Sequence, residues 1–364
     1  MLNWRDPRNP LAGGAERVSQ RYLLALKERG HHVEWFANQF PGGAAHEVVA
    51  GIPVTRGGGR GTSILAAMEW YRSQPRFDLV IDQHHGIPWF APWWCGTNCV
   101  AYIHEVLGPI WDSFFRWPWN AIGRSQEKLT HELYARVPFW TPSDSTRQQL
   151  ESTGVQAVTV LPNGVDTVPL TELPAKPLAS PLRLITVSRL APNKRVDHAI
   201  QLVAQLKHRG VPAELLIVGG GDCEHDLRRL AAELQLSPVV RFSGRVTESE
   251  KNQLLGEAHL LVHTSQCEGW GLNVIEANAM GTPALVYPVA GLVDSTVAGV
   301  TGLIAQAEAP ESLADEVMNL NRSPERFAEL RLNAWRRSFE FQWDKVLPPA
   351  CEWLEAKASS AERV

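Results

Sequence analysis

Between residues 182 and 287, short apolar β-branched runs alternate with segments of helical periodicity, and few patterns restrict a fold as tightly. The run LRLITVSRL at 182–190 stops at Ala191-Pro192-Asn193-Lys194. Val196, Ile200, Val203 and Leu206 then recur at helical spacing until Gly210. AELLIV at 213–218 reads as a strand ending in Gly219-Gly220-Gly221-Asp222, followed by a helix marked by Leu227, Leu230, Ala231 and Leu234. Strands follow at 239–242, 259–263 and 284–287, and a helix at 274–280 is stopped by Gly281-Thr282-Pro283. Thr247 and Glu250 have the spacing of a helix capping box. Near-continuous apolar strands joined by helices imply a parallel sheet covered on both faces, a Rossmann-like α/β domain.

The first half repeats this rhythm. Helices are predicted over 15–29, 64–72 and 146–152, and strands over 32–37, 79–82, 100–103 and 158–161. Only residues 1–4 precede a polar Pro/Asn loop, so a first strand of ordinary length is expected to have been cut short. The stretch 168–181 carries Pro169, Pro174, Pro177 and Pro181 and reads as a semi-rigid linker. Beyond Arg322 the chain is helical and amphipathic in two pieces that bear Trp335, Trp343 and Trp353, which suggests packing against something large.

A chain of 364 residues is long enough for two such domains. Its net charge of −4 offers no general field for a polyanion, so nucleic acid is not an expected partner. The five cysteines are scattered, and Cys95 and Cys99 have no second pair at zinc spacing; reduced, buried thiols are expected. No apolar run reaches membrane-span length, and MLNWRDPRNP lacks the apolar core of a signal peptide. A cytoplasmic protein is therefore expected, with contact to the inner face of a membrane left open.

Open parallel sheets bind ligands beyond the carboxyl ends of their strands, which directs attention to particular loops. Gly13 and Gly14 precede the first predicted helix, and Gly219 to Gly221 repeat the arrangement in the second half. Such glycines let backbone approach an anion at a helix N-terminus, or simply make a tight turn. Arg189 closes one strand and Lys194 opens the next helix, so both face the same edge. A forked guanidinium and an ammonium there suit a diphosphate; two solvated surface cations are the alternative. Glu268 lies in a loop with Gly269-Trp270-Gly271, and Glu276 falls in the first turn of a helix starting near Asn273. A carboxylate there suits a vicinal diol, or merely complements the helix dipole.

With seven residues between Glu268 and Glu276, the segment from Cys267 to Pro283 resembles the E-x7-E region of the retaining glycosyltransferases of family 4. Val187-Ser-Arg-Leu-Ala-Pro-Asn-Lys194 is similar to that family's G-R-L-x3-K-G element, with Ser188 and Arg195 where glycines are usual. Asn163-Gly-Val-Asp166, residues 217–222, Phe242-Ser-Gly-Arg-Val246 and the Gly13-Gly14-Ala-Glu16 loop fall in the family's order. Asp294, where many members have Glu, and the short first strand depart from it.

The resemblance implies a GT-B fold: two Rossmann-like domains with parallel sheets facing an interdomain cleft. The first would span 1–170, completed by a C-terminal helix at 343–364, and receive the acceptor; the second, 171–342, would bind the donor. Arg189 and Lys194 would hold the diphosphate of a UDP- or GDP-linked sugar, Glu276 its ribose, and Glu268 the transferred sugar. Amides of Gly269, Trp270 and Gly271, with Leu272 behind them, would join Glu268. Arg245 and Val246 would lie near the base, Gly13, Gly14, Gly219 and Gly221 would line the donor site, and His104 would touch the sugar. No cofactor and no metal is expected, and the chain has no Asp-x-Asp pair of the metal-dependent kind. The implied mechanism is front-face displacement with retention, without a protein nucleophile.

Six of the 14 tryptophans fall between residues 89 and 119. Trp111, Trp117 and Trp119, beside Pro118 and Arg116, read as a surface loop for a glycan or lipid-linked glycan acceptor, with peripheral membrane contact. Trp89, Trp93 and Trp94 read rather as core. Two other activities fit the same residues: a sugar phosphorylase or epimerase of this fold, and a non-catalytic nucleotide-sugar binder.

Overall fold

The computed structural model describes residues 1–59, 61–108 and 110–360. In chain order it begins α1 (Gly14–Glu28), β1 (Trp35–Asn38), β2 (His46–Val49), β3 (Ile52–Gly57), α2 (Ser63–Ser73), β4 (Leu79–His84) and β5 (Asn98–Ile103). Then come α3 (Ile110–Phe114), α4 (Trp119–Leu133), β6 (Phe139–Thr141), α5 (Asp144–Ser152) and β7 (Val158–Val160). The chain continues with β8 (Leu182–Val187), α6 (Val196–His208), β9 (Ala213–Val218), α7 (Glu224–Glu233), β10 (Val240–Gly244), α8 (Glu248–Glu257) and β11 (Leu260–His263). It goes on through α9 (Leu272–Ala279), β12 (Ala284–Val286), α10 (Leu292–Ser295) and β13 (Gly302–Ile304). Three helices follow: α11 (Pro310–Asn321), α12 (Pro324–Ser338) and α13 (Trp343–Ser359).

Two compact units result. One contains Met1–Gly108, Pro118–Gly164 and Trp343–Val364; the other contains Pro109–Trp117 and Val165–Gln342. The division thus falls at Gly164/Val165 rather than 170/171, and the end of the expected C-terminal helix, 361–364, lies outside the described residues. The proline-rich stretch is no free spacer. Lys176 Nζ donates to the carbonyls of Gly256 (2.9 Å) and Ala258 (2.5 Å), and Arg331 Nη2 donates to Pro174 O at 3.0 Å. Those bonds strap the stretch onto the second unit.

In the second unit the sheet order is β10-β9-β8-β11-β12-β13, parallel throughout. This is the doubly wound arrangement, with its topological switch between β8 and β11. β11 and β12 are buried at every position, as a sheet with helices on both faces requires. Ala199, Ile200, Val203 and Leu206 of α6 join Leu184, Leu215 and Leu261 in the core beneath them. The capping box holds: Glu250 N donates to Thr247 Oγ1 at 3.2 Å and Thr247 N donates to Glu250 Oε2 at 2.8 Å.

In the first unit β1-β3-β2 and β4-β5-β6-β7 are joined through Leu2, which pairs in parallel with both Phe36 and Asp82. Leu2 N donates to Ile81 O at 2.9 Å, Asn3 N to Phe36 O at 3.0 Å and Gln83 N to Leu2 O at 3.0 Å. Residues 1–3 therefore occupy the central position of this sheet. The β2–β3 hairpin adds a pair of strands to those expected, and the strand expected at 32–37 starts only at Trp35. Of the surface loop expected at 111–119, only 115–118 is loop, with Trp117 exposed on it; Trp111 lies in α3 and Trp119 opens α4. α13 packs on α1, with Arg29 bidentate to Glu355 at 2.6 and 2.7 Å, and Trp353 lies 6.3 Å from Trp140.

Candidate active site

The second unit gathers most of the expected residues at its switch point. The loop after β8 carries Arg189 and a 3-10 turn at Pro192–Lys194; the loop after β11 carries Glu268. Lys194 Nζ is bonded to Glu268 Oε1, and His263 Nε2, from the end of β11, is 3.5 Å from the same oxygen. Burial pushes the Glu268 carboxyl up, but the Lys194 ammonium and then His263 outweigh it and hold the acid at about 2. Burial drives His263 down to about 4 against the pull of Glu268. At neutral pH the cluster is a carboxylate, an ammonium and an uncharged imidazole.

The two expected diphosphate ligands are unlike each other here. Arg189 is exposed and makes no ion pair among the described residues, whereas Lys194 is largely buried on Glu268. Beyond Glu268 the chain turns through Gly271, whose φ of +76° caps α9 and leaves the first amides of Leu272 and its neighbours without helical partners. The indole of Trp270 goes elsewhere, into a small cluster with Val165, Ile275 and Phe341. Its contribution to the loop is therefore backbone. Asn273 Nδ2 donates to Val187 O at 2.8 Å and ties the head of α9 to the end of β8. Ser188 Oγ and Asn193 Oδ1, in the same loops, are buried without a partner, which fits a polar ligand.

Gly219 and Gly221 also serve the close packing of two loops. A Cβ at Gly219 would lie 1.9 Å from Ser188 O, and one at Gly221 would lie 2.4 Å from Leu190 O. These glycines let the loop after β9 lie directly on the loop after β8. Arg245 is exposed beside Gly220, while Val246 packs on the core. Glu276, in α9, is held by Lys251 of α8 at 2.9 Å.

The first unit holds the others. Gly13 N donates to Glu16 Oε2 at 2.6 Å, so that amide is already committed within its own helix cap. Glu16 is buried and paired with Arg5 at 2.9 Å, and Arg5 Nη2 lies 3.1 Å from His85 Nε2. Burial raises the Glu16 carboxyl, but Arg5 and the Gly13 amide together lower it below its ordinary value. Gly14 opens α1. His104, after β5, packs 4.5 Å from Tyr102, and its Nε2 is buried without a partner. Burial holds its pKa at about 4, so the ring is neutral and can offer one hydrogen bond to an uncharged group.

Trp117 and Trp119 are exposed and Trp111, half-buried, lies 5.7 Å from Phe115. Trp89 is fully buried, whereas Trp93 is exposed. Sequence reasoning missed Lys251, His263 and Arg195. Arg195 adopts a left-handed conformation (φ +47°) and donates to Thr264 O and Ser265 O at 2.8 Å each, clamping the loop that precedes Glu268. Among the described residues no three His, Cys, Asp or Glu side chains are grouped as a metal site, and no helix is long and apolar enough to cross a membrane.

Two family models match, and they divide the chain between them: Glycosyltransferase Family 4 over residues 12–168, and Glycosyl transferases group 1 over 174–337. The chain belongs to the group 1 glycosyltransferases. Among relatives, the glycogen synthase of Mycobacterium tuberculosis is 29% identical over 212 residues, 57% of this chain and 51% of that one. The D-inositol 3-phosphate glycosyltransferase of Frankia alni is 32% identical over 169 residues, 44% of this chain and 42% of that one. This glycosyltransferase chain spans about half the length of the curated relatives it matches.

Solved structures resemble it throughout. The sucrose-phosphate synthase of Thermosynechococcus elongatus superposes with a TM-score of 0.77 at 20% identity, over 96% of this chain and 95% of that one. HepE of Anabaena, solved with UDP and glucose, gives 0.74 at 18% identity over 98% of each chain. The fold is GT-B, with two Rossmann-like domains.

Proposed function

We propose that this glycosyltransferase moves a hexosyl unit from a UDP- or GDP-linked sugar to a glycan or lipid-linked glycan acceptor, with retention and without a metal ion. The observation that carries the reading is the buried Glu268–Lys194 pair at the switch point of the second unit, with exposed Arg189 on the neighbouring loop. Lys194, Arg189 and the amides at the head of α9 supply fixed positive charge where the departing nucleoside diphosphate develops negative charge. Such charge is in position before the reaction and needs no reorganisation. Glu268 stays ionised because Lys194 holds its proton off, so it accepts hydroxyls of the transferred sugar rather than delivering a proton. The leaving phosphate takes the acceptor's proton, and no protein carboxylate forms a covalent intermediate. HepE, a structural relative, was solved with UDP and glucose, which supports a nucleotide-sugar donor here.

Exposed Trp119, Ile122, Leu129 and Leu133 form an apolar stripe on α4, with exposed Arg124, Lys128 and Arg136 nearby. That composition supports a lipid-linked acceptor met at the cytoplasmic face of a membrane. Melting in the presence of nucleoside diphosphates and their sugars tests the donor, since a bound donor raises Tm with its occupancy. Glu268→Ala should abolish donor hydrolysis and transfer while EDTA leaves the wild-type rate unchanged. Sugar release that requires free phosphate and yields no nucleotide would identify a phosphorylase instead. Flotation with anionic liposomes at low salt tests the membrane contact; a protein that stays at the bottom of the gradient removes it.

A further inference from the structure

Lys251 lies in the first turns of α8, on the same face as Leu255, one helical turn further on. Both are buried, Lys251 at 7% exposure and Leu255 at 0%. An ammonium at a position that packs like a leucine needs carboxylates around it, because an unpaired buried charge is strongly unfavourable. Two are present: Glu276 Oε1 at 2.9 Å and Glu248 Oε2 at 2.6 Å. Glu248 is 60% exposed at its side chain, whereas Glu276, the expected ribose ligand, is only 12% exposed. The direction of Lys251 is fixed from behind, because the Thr247–Glu250 capping box sets the first turn of α8.

We infer that Lys251 is a positioning residue of the donor site, holding the Glu276 carboxylate in the orientation that accepts both hydroxyls of a ribose. The inference rests on the proposed nucleotide-sugar donor and on Glu276 being its ribose ligand, as the family resemblance implies. A vicinal diol donates one O–H to each carboxylate oxygen, so the carboxyl plane must be held against rotation. Lys251 occupies one lone-pair direction of Oε1 and leaves a second on that oxygen, with Oε2 open to the other hydroxyl. Preorganisation of this kind acts on the ribose contact, not on the phosphate or base contacts. Its signature is therefore discrimination between ribose and 2′-deoxyribose, not affinity in general.

The test compares the Kd of UDP with that of 2′-deoxy-UDP, and of GDP with 2′-deoxy-GDP, by calorimetry. For whichever pair binds, the intact protein should prefer ribose by about tenfold or more, as expected for hydrogen bonds to a charged acceptor. Lys251→Met should reduce that preference to less than about threefold, raise KM for the donor and leave kcat nearly unchanged. Lys251→Arg, which keeps the charge in a buried slot, should restore an intermediate preference. If the Met variant does not melt cooperatively, the Arg variant alone decides: a preference equal to the wild type overturns the inference. Glu276→Gln separates the two readings. Should it leave the ribose preference intact, Glu276 is not the ribose ligand and both fall. Should it collapse the preference while Lys251→Met and Lys251→Arg keep it, Lys251 is only a structural counter-ion.

Discussion

Replacing Gly219 by alanine perturbs the site without touching any charged group. A Cβ there would stand 1.9 Å from the carbonyl oxygen of Ser188, on a backbone with φ of +128°. The obstacle is main chain rather than the flexible end of a side chain, so the two loops must separate by more than 1 Å before ordinary contact, which begins at 3.4 Å, is reached. Ser188 N donates to Val218 O and Gly219 N to Gly244 O, at 3.0 and 2.8 Å, and separation strains both. Overpacking of this kind costs about 1–3 kcal/mol, and the positive φ adds roughly 1–2 kcal/mol for a residue with a Cβ. A loss of about 2–5 kcal/mol is expected from urea denaturation, with nucleotide affinity falling in parallel because Ser188, Arg189 and Leu190 move together. Gly256→Ala is the control: this glycine sits in α8 with nothing within 4 Å of the new methyl, so stability should rise by up to about 1 kcal/mol. A Gly219→Ala protein as stable as the wild type, binding nucleotide equally well, would refute the argument from close approach.

Acid should destabilise the fold before it protonates the site. His84, His104, His131, His259 and His263 are pushed by burial to about 3 or 4, so the unfolded chain takes up protons below pH 6.5 that the folded one does not. Their stability contribution is complete above that pH and is lost as pH falls toward 4, at up to about 1.4 kcal/mol per unit for each. Asp82, raised by burial to about 6, works in the opposite sense below that value but is one group against several. The urea midpoint should thus be lower at pH 5.5 than at 7.5; an equal or higher midpoint contradicts the sign. In the first unit, Arg56 grips Asp6 with bonds of 2.7 and 2.8 Å between side chains that are fully buried. Arg56→Met strands that carboxylate and should cost about 3–5 kcal/mol in denaturant titrations, with the Arg56→Met/Asp6→Leu double variant recovering much of it. Lys194→Met leaves Glu268 buried without its ammonium, so the acid limb of the pH–rate profile should move upward; an unmoved limb would mean that Lys194 does not set the ionisation of Glu268.

The second unit was legible because its strands are buried on both faces and so read as apolar runs, as in β8, β9 and β11. β13 escaped notice because three residues beginning with a glycine carry no pattern. In the first unit the β2–β3 hairpin hid among glycines, and α4 was obscured because its apolar residues face solvent rather than a core. Glu268, Glu276 and Lys194 stood out through spacing along the chain. Lys251 and His263 could not, since what makes them matter is the packing of α8 on α9 and the end of β11 against the Glu268 loop. Gly219 and Gly221 were visible as residues, but their reason, a main-chain collision with Ser188 and Leu190, exists only in three dimensions.

The first unit borrows α13 from far along the chain: Arg29 grips Glu355, Asn98 Nδ2 donates to Ala358 O at 3.0 Å, and Trp343 lies against Gly164. Synthesis therefore delivers the pieces out of step. All of 165–342 has been made before the ribosome supplies the helix that covers α1 and β5. The earlier-made half therefore waits, with the apolar face for α13 uncovered, until the second unit has been made, and the usual N-terminal-first order of domain maturation does not hold for it. This makes the interval before α13 emerges the time at which a chaperone would be needed most.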